Sequence, residues 1–455
     1  MASEAIVALS TPPGESGIAV VRMSGPGTVD IVEAVAPGAA RAPSHTLFLC
    51  TLRDKDRKAI DEALVCVMRA PASYTGEDMA EISCHGSMQV VSELLEEILR
   101  RGARLAAPGE FTKRAFLAGK LDLAQAEAVA DLISSETKLQ REVAMEQLEG
   151  GLSRKVRELE ERLVAELALI EVSIDFSEED VPVYSPERTR AAAREIRGKI
   201  ASLLEGEVAG ERLRRGIRVT IVGPRNVGKS SLYNALIGEE RAIVSPLPGT
   251  TRDLLRERIH VGGFTCHLED TAGIAATGCE VEARGIEIGR EAAGRADLVM
   301  FVVDGSAGPP DDFADEIARI DREKLLCVIS KKDLGLRVSP EALRETYGVD
   351  AAIAVSSLTG EGLEDLRARI FDRTVKRSAS ELGRERIALG ARHAAALREA
   401  DEALARLEAL LDERASEELL SVEVRSAADA LGAVTGRAAT DALLEIIFSN
   451  FCIGK

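Results

Sequence analysis

The sequence predicts a multidomain protein that combines an α+β segment, an α-helical bundle and an α/β domain inserted within that bundle. Short β-branched runs dominate the first 119 residues, and apolar stripes of helical period lie on both sides of the middle segment. Between residues 216 and 377, strand-like runs alternate with helical ones, which is typical of a mostly parallel sheet. The length of 455 residues is enough for about three domains.

Composition restricts the function only weakly. The chain has 58 Lys and Arg against 76 Asp and Glu, a net charge of −18, so any contact with nucleic acid must be local or shared with a partner. The seven cysteines form no Cys-x-x-Cys pair, and this spacing indicates neither a zinc site nor a disulfide framework. Without a signal peptide or an apolar run of about 18 residues, we expect a soluble, cytoplasmic protein.

The first segment, residues 1–119, predicts a small α+β domain. Its strand-like runs and one amphipathic helical run are residues 5–9, 17–23, 46–52, 61–68 and, for the helix, 90–99. Two polar stretches, residues 71–81 and 108–122, are each expected to be a loop or turn that enters a helix. A structured connector is the simplest interpretation of both.

Apolar stripes predict the helical bundle. One stripe runs along a single long helix and consists of Leu152, Val156, Leu159, Leu163, Leu167 and Ile170. A second stripe follows the middle segment and has a spacing of seven residues: Leu397, Leu404 and Leu411, with Leu407 between. Because helices on both sides can pack together, we expect residues 120–215 and 378–455 to form one bundle and residues 216–377 to be an insertion. Pro182 ends the first helical array.

Residues 223–230, Gly-Pro-Arg-Asn-Val-Gly-Lys-Ser, fit the pattern of a phosphate-binding loop. A strand-like run at 217–222 precedes the loop and a helical run at 231–237 follows it, so that backbone N–H groups can converge on phosphates. In this pattern Lys229 reaches the β- and γ-phosphates and Ser230 holds Mg²⁺.

Four further motifs belong to the pattern of a Ras-like GTPase domain. Asp270-Thr271-Ala272-Gly273 ends a strand and places a carboxylate near Mg²⁺, and the loop at 249–253 can bring a threonine hydroxyl to the same ion. Asp333, in Ser330-Lys331-Lys332-Asp333, can accept from the N–H donors of guanine, which favours GTP over ATP. Ser330 stands where asparagine is expected, and Ser356 begins the last base-contacting loop.

The residue after Gly273 affects the mechanism. Ile274 occupies the position of the water-orienting glutamine and cannot form a side-chain hydrogen bond. Glu280, Glu282 and Glu287 could each act through a bridging water, although charged positions of this kind are usually solvated helix faces.

Over essentially its whole length the chain resembles the MnmE (TrmE) family of tRNA-modifying GTPases. The resemblance rests on the phosphate loop and on five other motifs: residues 74–78 (Tyr-Thr-Gly-Glu-Asp), 108–112 (Pro-Gly-Glu-Phe-Thr), 119–128, 249–253 and the terminal 451–455 (Phe-Cys-Ile-Gly-Lys). The terminal motif is the most specific of these.

The resemblance implies several roles. The N-terminal domain would form a homodimer and bind formyl- or methylene-tetrahydrofolate through Arg22, Glu81, Lys120 and Lys455. A flexible tail would carry Cys452 to the folate or to a uridine.

In the nucleotide domain, Glu282 would be the general base. K⁺, which can replace an arginine finger, would bind Asn226, Ser245, Leu247 and Thr250, while Mg²⁺ would bind Ser230 and Thr251. The nucleotide contacts implied are Asn226, Val227, Gly228, Lys229, Ser230, Ser231, Ser245, Pro246, Leu247, Pro248, Gly249, Thr250, Thr251, Asp270, Thr271, Ala272, Gly273, Ser330, Lys331, Asp333 and Ser356.

The expected function is GTP hydrolysis in a complex that adds a carboxymethylaminomethyl or aminomethyl group to C5 of a tRNA wobble uridine. An FAD- and NADH-using partner, MnmG (GidA), is implied. A regulatory or ribosome-assembly GTPase is the alternative, but it needs neither a terminal cysteine nor a folate site. A dynamin-like membrane GTPase would need a lipid-facing helix surface, whereas the stripes are typical of a bundle core. The chain departs from the family at Ser245-Pro246, Ala275-Ala276 and Arg437.

Overall fold

The computed structural model describes residues 4–175, 184–241, 256–270, 293–376, 387–437 and 439–455. The chain divides into two units. The first consists of Met1–Ile133, Gln147–Arg194 and Ala396–Lys455, and the second of Ser134–Glu146 and Glu195–Ala395.

A six-stranded sheet forms the N-terminal part of the first unit. Its strands are β1 (Ile6–Leu9), β2 (Ser16–Ser24), β3 (Thr46–Arg53), β4 (Ala59–Met68), β5 (Met79–Gly86) and β6 (Arg104–Leu105), in the order β3-β4-β5-β2-β1-β6. The pairs are antiparallel except for β1 with β6. Buried residues alternate along β4, where Ala63, Val65 and Val67 are at most 2% exposed, so one face of the sheet is apolar. Helices α1 (Thr28–Val35) and α2 (Met88–Arg100) pack on the sheet.

The prediction for residues 71–81 was wrong. This stretch leads into strand β5 and not into a helix. Ala80, Ile82 and Cys84 are buried and alternate with half-exposed positions, but small and polar residues between them weaken the period-two signal.

Helix α1 was not predicted. The second polar stretch does enter a helix, α3 (Glu110–Leu117), and α4 (Leu123–Ser134), α5 (Lys138–Leu148), α6 (Gly151–Asp175), α7 (Pro186–Leu204) and α8 (Glu207–Arg215) follow.

The second unit contains the predicted α/β sheet. Its strands are β7 (Ile217–Val222), β8 (Arg256–Val261), β9 (Phe264–Asp270), β10 (Leu298–Asp304), β11 (Leu325–Ser330) and β12 (Ala352–Ala354), in the order β12-β11-β10-β7-β9-β8. All pairs are parallel except β8 with β9, which confirms the antiparallel edge strand. The sheet is accompanied by α9 (Lys229–Arg241), α10 (Phe313–Ala318), α11 (Pro340–Tyr347) and α12 (Leu363–Ile370).

The hairpin between β8 and β9 turns at Gly262 and Gly263, as predicted. Both have positive φ, 59° and 86°, which is the requirement of a two-residue hairpin turn.

In the centre of the sheet, Leu298 to Val303 are all at most 4% exposed. Because β7, β10 and β11 are paired in parallel, their carboxyl ends are neighbours at one edge of the sheet, where ligands of such folds bind.

Three helices complete the chain: α13 (Ala391–Asp412), α14 (Glu417–Thr435) and α15 (Asp441–Ser449). Helix α6 packs against α14, and the predicted stripes are buried except for Leu167, which is partly exposed. Ion pairs from Arg406 to Glu423 and from Arg190 to Asp412 join α13 to α14 and to α7. Helices before and after the nucleotide segment thus pack together. Within the described ranges, no helix combines the length and apolarity needed to cross a membrane.

Candidate functional site

The phosphate loop, residues 223–230, connects β7 to α9 through strained backbone. Gly223 has a φ of 140°, and a Cβ there would lie 2.4 Å from the Val302 carbonyl oxygen, so only glycine lets the loop approach β10. Asn226 and Gly228 also have positive φ, 63° and 97°. This conformation turns successive N–H groups towards one side, as an anion-binding loop requires.

Lys229 is the first residue of α9 and is 8% exposed. Its ammonium donates to the carbonyl oxygens of Gly223 at 2.8 Å and Pro224 at 2.6 Å, which fixes the charge inside the loop. The helix N-terminus adds its positive dipole end at the same place. Ser230 and Ser231 follow within the first turn of α9. Loop, ammonium and helix end can together stabilise a polyphosphate.

The guanine loop, residues 330–333, lies beside the phosphate loop. Ser330 Oγ is within hydrogen-bond distance of the Val227 and Val303 carbonyl oxygens, and its single proton serves one of them at a time. Lys331 Nζ donates to the Asn226 carbonyl oxygen at 2.8 Å. Ser330 thus joins the base loop to the phosphate loop, although it is shorter than the expected asparagine.

Asp333 and Ser356 meet in the structure. Ser356 Oγ donates to Asp333 Oδ1 at 2.6 Å and accepts from the Thr359 N–H at 3.1 Å. The contact orients the carboxylate that the sequence assigns to guanine. Asp270 is the last residue of β9. The remaining predicted nucleotide, metal and general-base residues lie outside the described ranges: Ser245, Pro246, Leu247, Pro248, Gly249, Thr250, Thr251, Thr271, Ala272, Gly273 and Glu282.

Arg22 and Glu81 form the centre of a second candidate site, in the first unit. They are register partners across β2 and β5, and Arg22 Nη2 lies 2.7 Å from Glu81 Oε1. The Arg22 guanidinium carbon lies 5.9 Å from the centre of the Phe111 ring. Burial lowers the pKa of the Lys455 ammonium and the charge of Arg22 lowers it further, against opposing effects of Glu81 and Cys452. The structure therefore brings three of the four predicted folate residues together.

The C-terminal tail, which was expected to be flexible, is anchored by hydrogen bonds. The Gly454 carbonyl oxygen accepts from Arg22 Nη1 at 3.1 Å and from Ser10 Oγ at 3.2 Å. The Phe111 N–H donates to the Lys455 carbonyl oxygen at 3.2 Å. Because backbone groups hold the tail, its position is fixed, while the Cys452 residue is exposed.

Lys120, the fourth predicted folate residue, lies over the loop that precedes β5. Its ammonium donates to the Pro71 carbonyl oxygen at 2.7 Å, and its side chain lies near Gly76. It also borders a cavity of about 580 Å³ between α4, α6 and the end of α14. Arg437, which departs from the family pattern, lines this cavity and pairs with Glu160.

Sequence reasoning missed a charged network that supports the second site. Arg114, 10% exposed at its side chain, pairs with Glu77 at 3.0 Å and with Glu110 at 2.9 Å. Ser24 Oγ donates to Glu77 at 2.7 Å, which connects the network to β2. The signal available in the sequence was the opposite charge of the two polar stretches, acidic at 77–78 and basic at 113–114.

Comparisons with known proteins cover nearly the whole chain. The MnmE helical domain profile matches residues 123–452, and the profile of the GTP-binding protein TrmE N-terminus matches residues 5–120. The tRNA modification GTPase MnmE of Moorella thermoacetica is 43% identical over 467 residues, covering 100% of both chains. That of Heliobacterium modesticaldum is 42% identical, again over 100% of both chains. That of Aquifex aeolicus is 41% identical over 99% of this chain and 100% of the relative.

Proposed function

The chain belongs to the MnmE family of tRNA modification GTPases, and from this premise we propose that it is a K⁺-activated GTPase subunit of a cytoplasmic complex that modifies wobble uridines. GTP hydrolysis is the activity that the family shares. The proposed complex adds a carboxymethylaminomethyl or aminomethyl group to C5 of the wobble uridine, with MnmG as the FAD- and NADH-dependent partner. In it, hydrolysis drives dimerisation of the nucleotide domains and a conformational change.

One observation carries the group-transfer part of the proposal. The anchored tail brings the segment of Cys452 to the Arg22–Glu81 pair, through the 3.1 Å hydrogen bond from Arg22 to Gly454. A GTPase that only switches needs no cysteine-bearing tail held at such a pair. This geometry therefore favours group transfer over a purely regulatory role.

The donor set of the second site suits a folate. A carboxylate such as Glu81 accepts from N–H groups of a pteridine ring, and the cations Arg22, Lys120 and Lys455 suit the carboxylates of a glutamate tail. Phe111 offers an aromatic surface next to Arg22. When bound, a formyl- or methylene-tetrahydrofolate supplies a one-carbon unit. The chain's own residues orient the ring and hold Cys452 at a fixed position.

The nucleotide site suits GTP with Mg²⁺ and K⁺. Lys229 and the N-terminus of α9 neutralise phosphate charge, and Ser230 presents a hydroxyl to Mg²⁺. Asn226, whose backbone has a left-handed conformation with φ 63°, is exposed and is the proposed K⁺ ligand of the loop. Ser245, Leu247 and Thr250 are the further proposed K⁺ ligands, Thr251 is the second for Mg²⁺, and Glu282 is the proposed general base.

The N-terminal sheet supports the proposed homodimer. Leu49 and Leu64 are register partners on β3 and β4, and they are 64% and 43% exposed. Leu47 and Ile18 on the same sheet are 61% and 62% exposed. Four large apolar side chains on one sheet are characteristic of an interaction surface.

Since the net charge is −18, tRNA is proposed to bind mainly with the help of the partner.

The decisive experiment compares GTP hydrolysis in KCl and in NaCl, for the wild type and Asn226→Ala. The proposal expects a strong preference for K⁺ in the wild type and its loss in the variant, because the side-chain oxygen of Asn226 is removed. Equal rates of the wild type in the two salts, or an Asn226→Ala variant that keeps both rate and preference, would refute K⁺ activation. Nucleoside analysis of tRNA incubated with the partner separates group transfer from a regulatory role.

A further inference from the structure

Asp304, the last residue of β10, lies where the guanine loop and the phosphate loop meet. It is the register partner of Ser330 on β11. The Gly305 N–H donates to the Ser330 carbonyl oxygen at 3.0 Å, and a Cβ at Gly305 would lie 2.6 Å from that oxygen. The absence of a side chain at position 305 therefore lets the end of β10 lie directly against Ser330.

The two carboxylate oxygens of Asp304 have different partners. Oδ2 accepts from Lys331 Nζ at 2.6 Å, whereas Oδ1 accepts from the N–H and the hydroxyl of Ser306 at 2.9 and 2.6 Å. Burial opposes ionisation of this carboxyl, but the hydrogen bonds from Lys331 and Ser306 outweigh it and lower its pKa. Asp304 is thus an ionised group whose orientation is fixed from both sides.

Lys331 extends this arrangement to the phosphate loop. The ammonium that pairs with Asp304 also donates to the Asn226 carbonyl oxygen at 2.8 Å. Lys331 and Asn226 have φ values of 56° and 63°, a conformation that is costly for residues other than glycine. Such conformations persist only where surrounding bonds hold them. Here the Lys331 ammonium supplies such a bond, because it donates to the Asn226 carbonyl oxygen and so ties the two residues together.

We propose that Asp304 is a positioning residue for guanine-nucleotide binding, which acts by fixing the Lys331 ammonium between its own carboxylate and the Asn226 carbonyl. The arrangement holds the guanine loop against the phosphate loop, so that both are in place when base and phosphates bind together. This inference depends on GTP binding, and it is independent of the K⁺, folate and tRNA parts of the proposed function.

The consequence concerns affinity. Without the Asp304 charge, Lys331 loses its ion pair and keeps only the neutral Asn226 carbonyl acceptor, which holds an ammonium less strongly than a carboxylate does. Part of the binding energy would then be spent on ordering the two loops. We expect GDP to dissociate faster, with a Kd about tenfold higher.

The test uses the full-length protein and fluorescent N-methylanthraniloyl-GDP, with Mg²⁺ and without K⁺. Asp304→Asn should raise the Kd about tenfold, mainly through the dissociation rate. Asp312→Asn, the same change at an exposed residue just before α10, is the matched control and should bind like the wild type. Lys331→Met should also raise the Kd, and the double variant Asp304→Asn/Lys331→Met should bind no more weakly than Lys331→Met.

This lack of additivity is what a merely structural role would not produce. If Asp304→Asn weakens binding by the same factor with and without Lys331, Asp304 acts on the fold and the proposal is overturned. An unchanged Kd in a folded Asp304→Asn variant overturns it as well. Should circular dichroism show that Asp304→Asn is unfolded, Lys331→Met decides alone, since an unchanged Kd in that variant contradicts the proposed route.

Discussion

The Arg22 guanidinium donates to the carbonyl oxygen of Gly454, 432 positions further along the chain, at 3.1 Å. The same side chain pairs with Glu81, so three distant parts of the sequence meet at one point of the first unit. Cys452 lies two residues before the anchored glycine. Its position is therefore set by contacts of the main chain around it, and these contacts can be altered without changing the thiol.

Gly454→Ala should reduce tRNA modification while GTP hydrolysis remains intact. Gly454 has a φ of 92°, and a Cβ would lie 2.6 Å from the Leu9 carbonyl oxygen, so an alanine must displace the tail. Left-handed strain alone costs about 1–2 kcal/mol, which corresponds to roughly a tenfold effect on the anchored population. Mass spectrometry of digested tRNA nucleosides measures the modification, with the proposed FAD-dependent partner present.

Gly102→Ala is the matched control for this prediction. Gly102 has a φ of 99°, but a Cβ there would meet no atom within 4 Å, so the substitution introduces strain without a collision. Normal modification by Gly102→Ala together with a loss in Gly454→Ala would assign the effect to the tail. Normal modification by both variants would contradict a role for tail anchoring.

The ion pairs of Glu110 predict acid-labile packing of α3. Burial opposes ionisation of its carboxyl, but hydrogen bonds from Arg104, from the Ala107 N–H and from Arg114 lower its pKa to about 2. A carboxyl whose folded pKa is depressed stabilises the fold above its unfolded pKa, near 4.5, and this contribution is lost as the pH falls towards 2. Because solvent screens part of the site, we expect about 1 kcal/mol.

Hydrogen exchange of peptides covering α3 measures this effect. Between pH 4.5 and 2, protection in the wild type, corrected for the intrinsic exchange rate, should fall more steeply than in Glu110→Gln, which has no carboxylate to protonate. Parallel profiles for the two proteins would show that this carboxylate makes no pH-dependent contribution.

Most of the architecture could be predicted from periodicity. The strands of the nucleotide sheet and the apolar stripes of α6 and α13 depend on local patterns of apolar residues, and these determine which face is buried. Strand β5 could not be recognised, because the polar residues Glu81 and Ser83 interrupt its small apolar residues, and Glu81 serves the second site through its pair with Arg22. Local preference is weakest where a strand carries functional groups.

The candidate sites also differ in how far the sequence predicts them. The phosphate loop is a contiguous motif, so its residues could be assigned from their order alone. The contact of Arg22 with Gly454 and that of Asp304 with Lys331 depend on how distant segments pack, which spacing does not reveal. The anchored tail illustrates this limit, since the last residues of a chain are usually poorly ordered unless contacts hold them.

Glu282→Ala should bind GTP normally and hydrolyse it about two to four decades more slowly, the scale of a lost general base. The prediction rests on Ile274, which cannot orient water, and on the resemblance that assigns this role to Glu282; both residues lie outside the described ranges. Single-turnover hydrolysis in KCl gives the rate, and nucleotide titration gives the affinity. Glu280→Ala and Glu287→Ala are the controls. Wild-type turnover by Glu282→Ala would show that this residue is a solvated charge with no part in hydrolysis.

Cys452→Ser should abolish wobble-uridine modification and leave GTP binding, hydrolysis and dimerisation unchanged. The substitution replaces an exposed thiol by a hydroxyl of similar size, and the tail contacts through Gly454 do not involve the sulfur atom. A serine hydroxyl is a much weaker nucleophile than a thiolate at neutral pH, so chemistry at this position would stop while the geometry is retained. Cys66→Ser, a half-buried thiol on β4, is the control and should modify tRNA normally. Normally modified uridine from Cys452→Ser would remove this thiol from the reaction, and the anchored tail would then serve only to complete the site around Arg22.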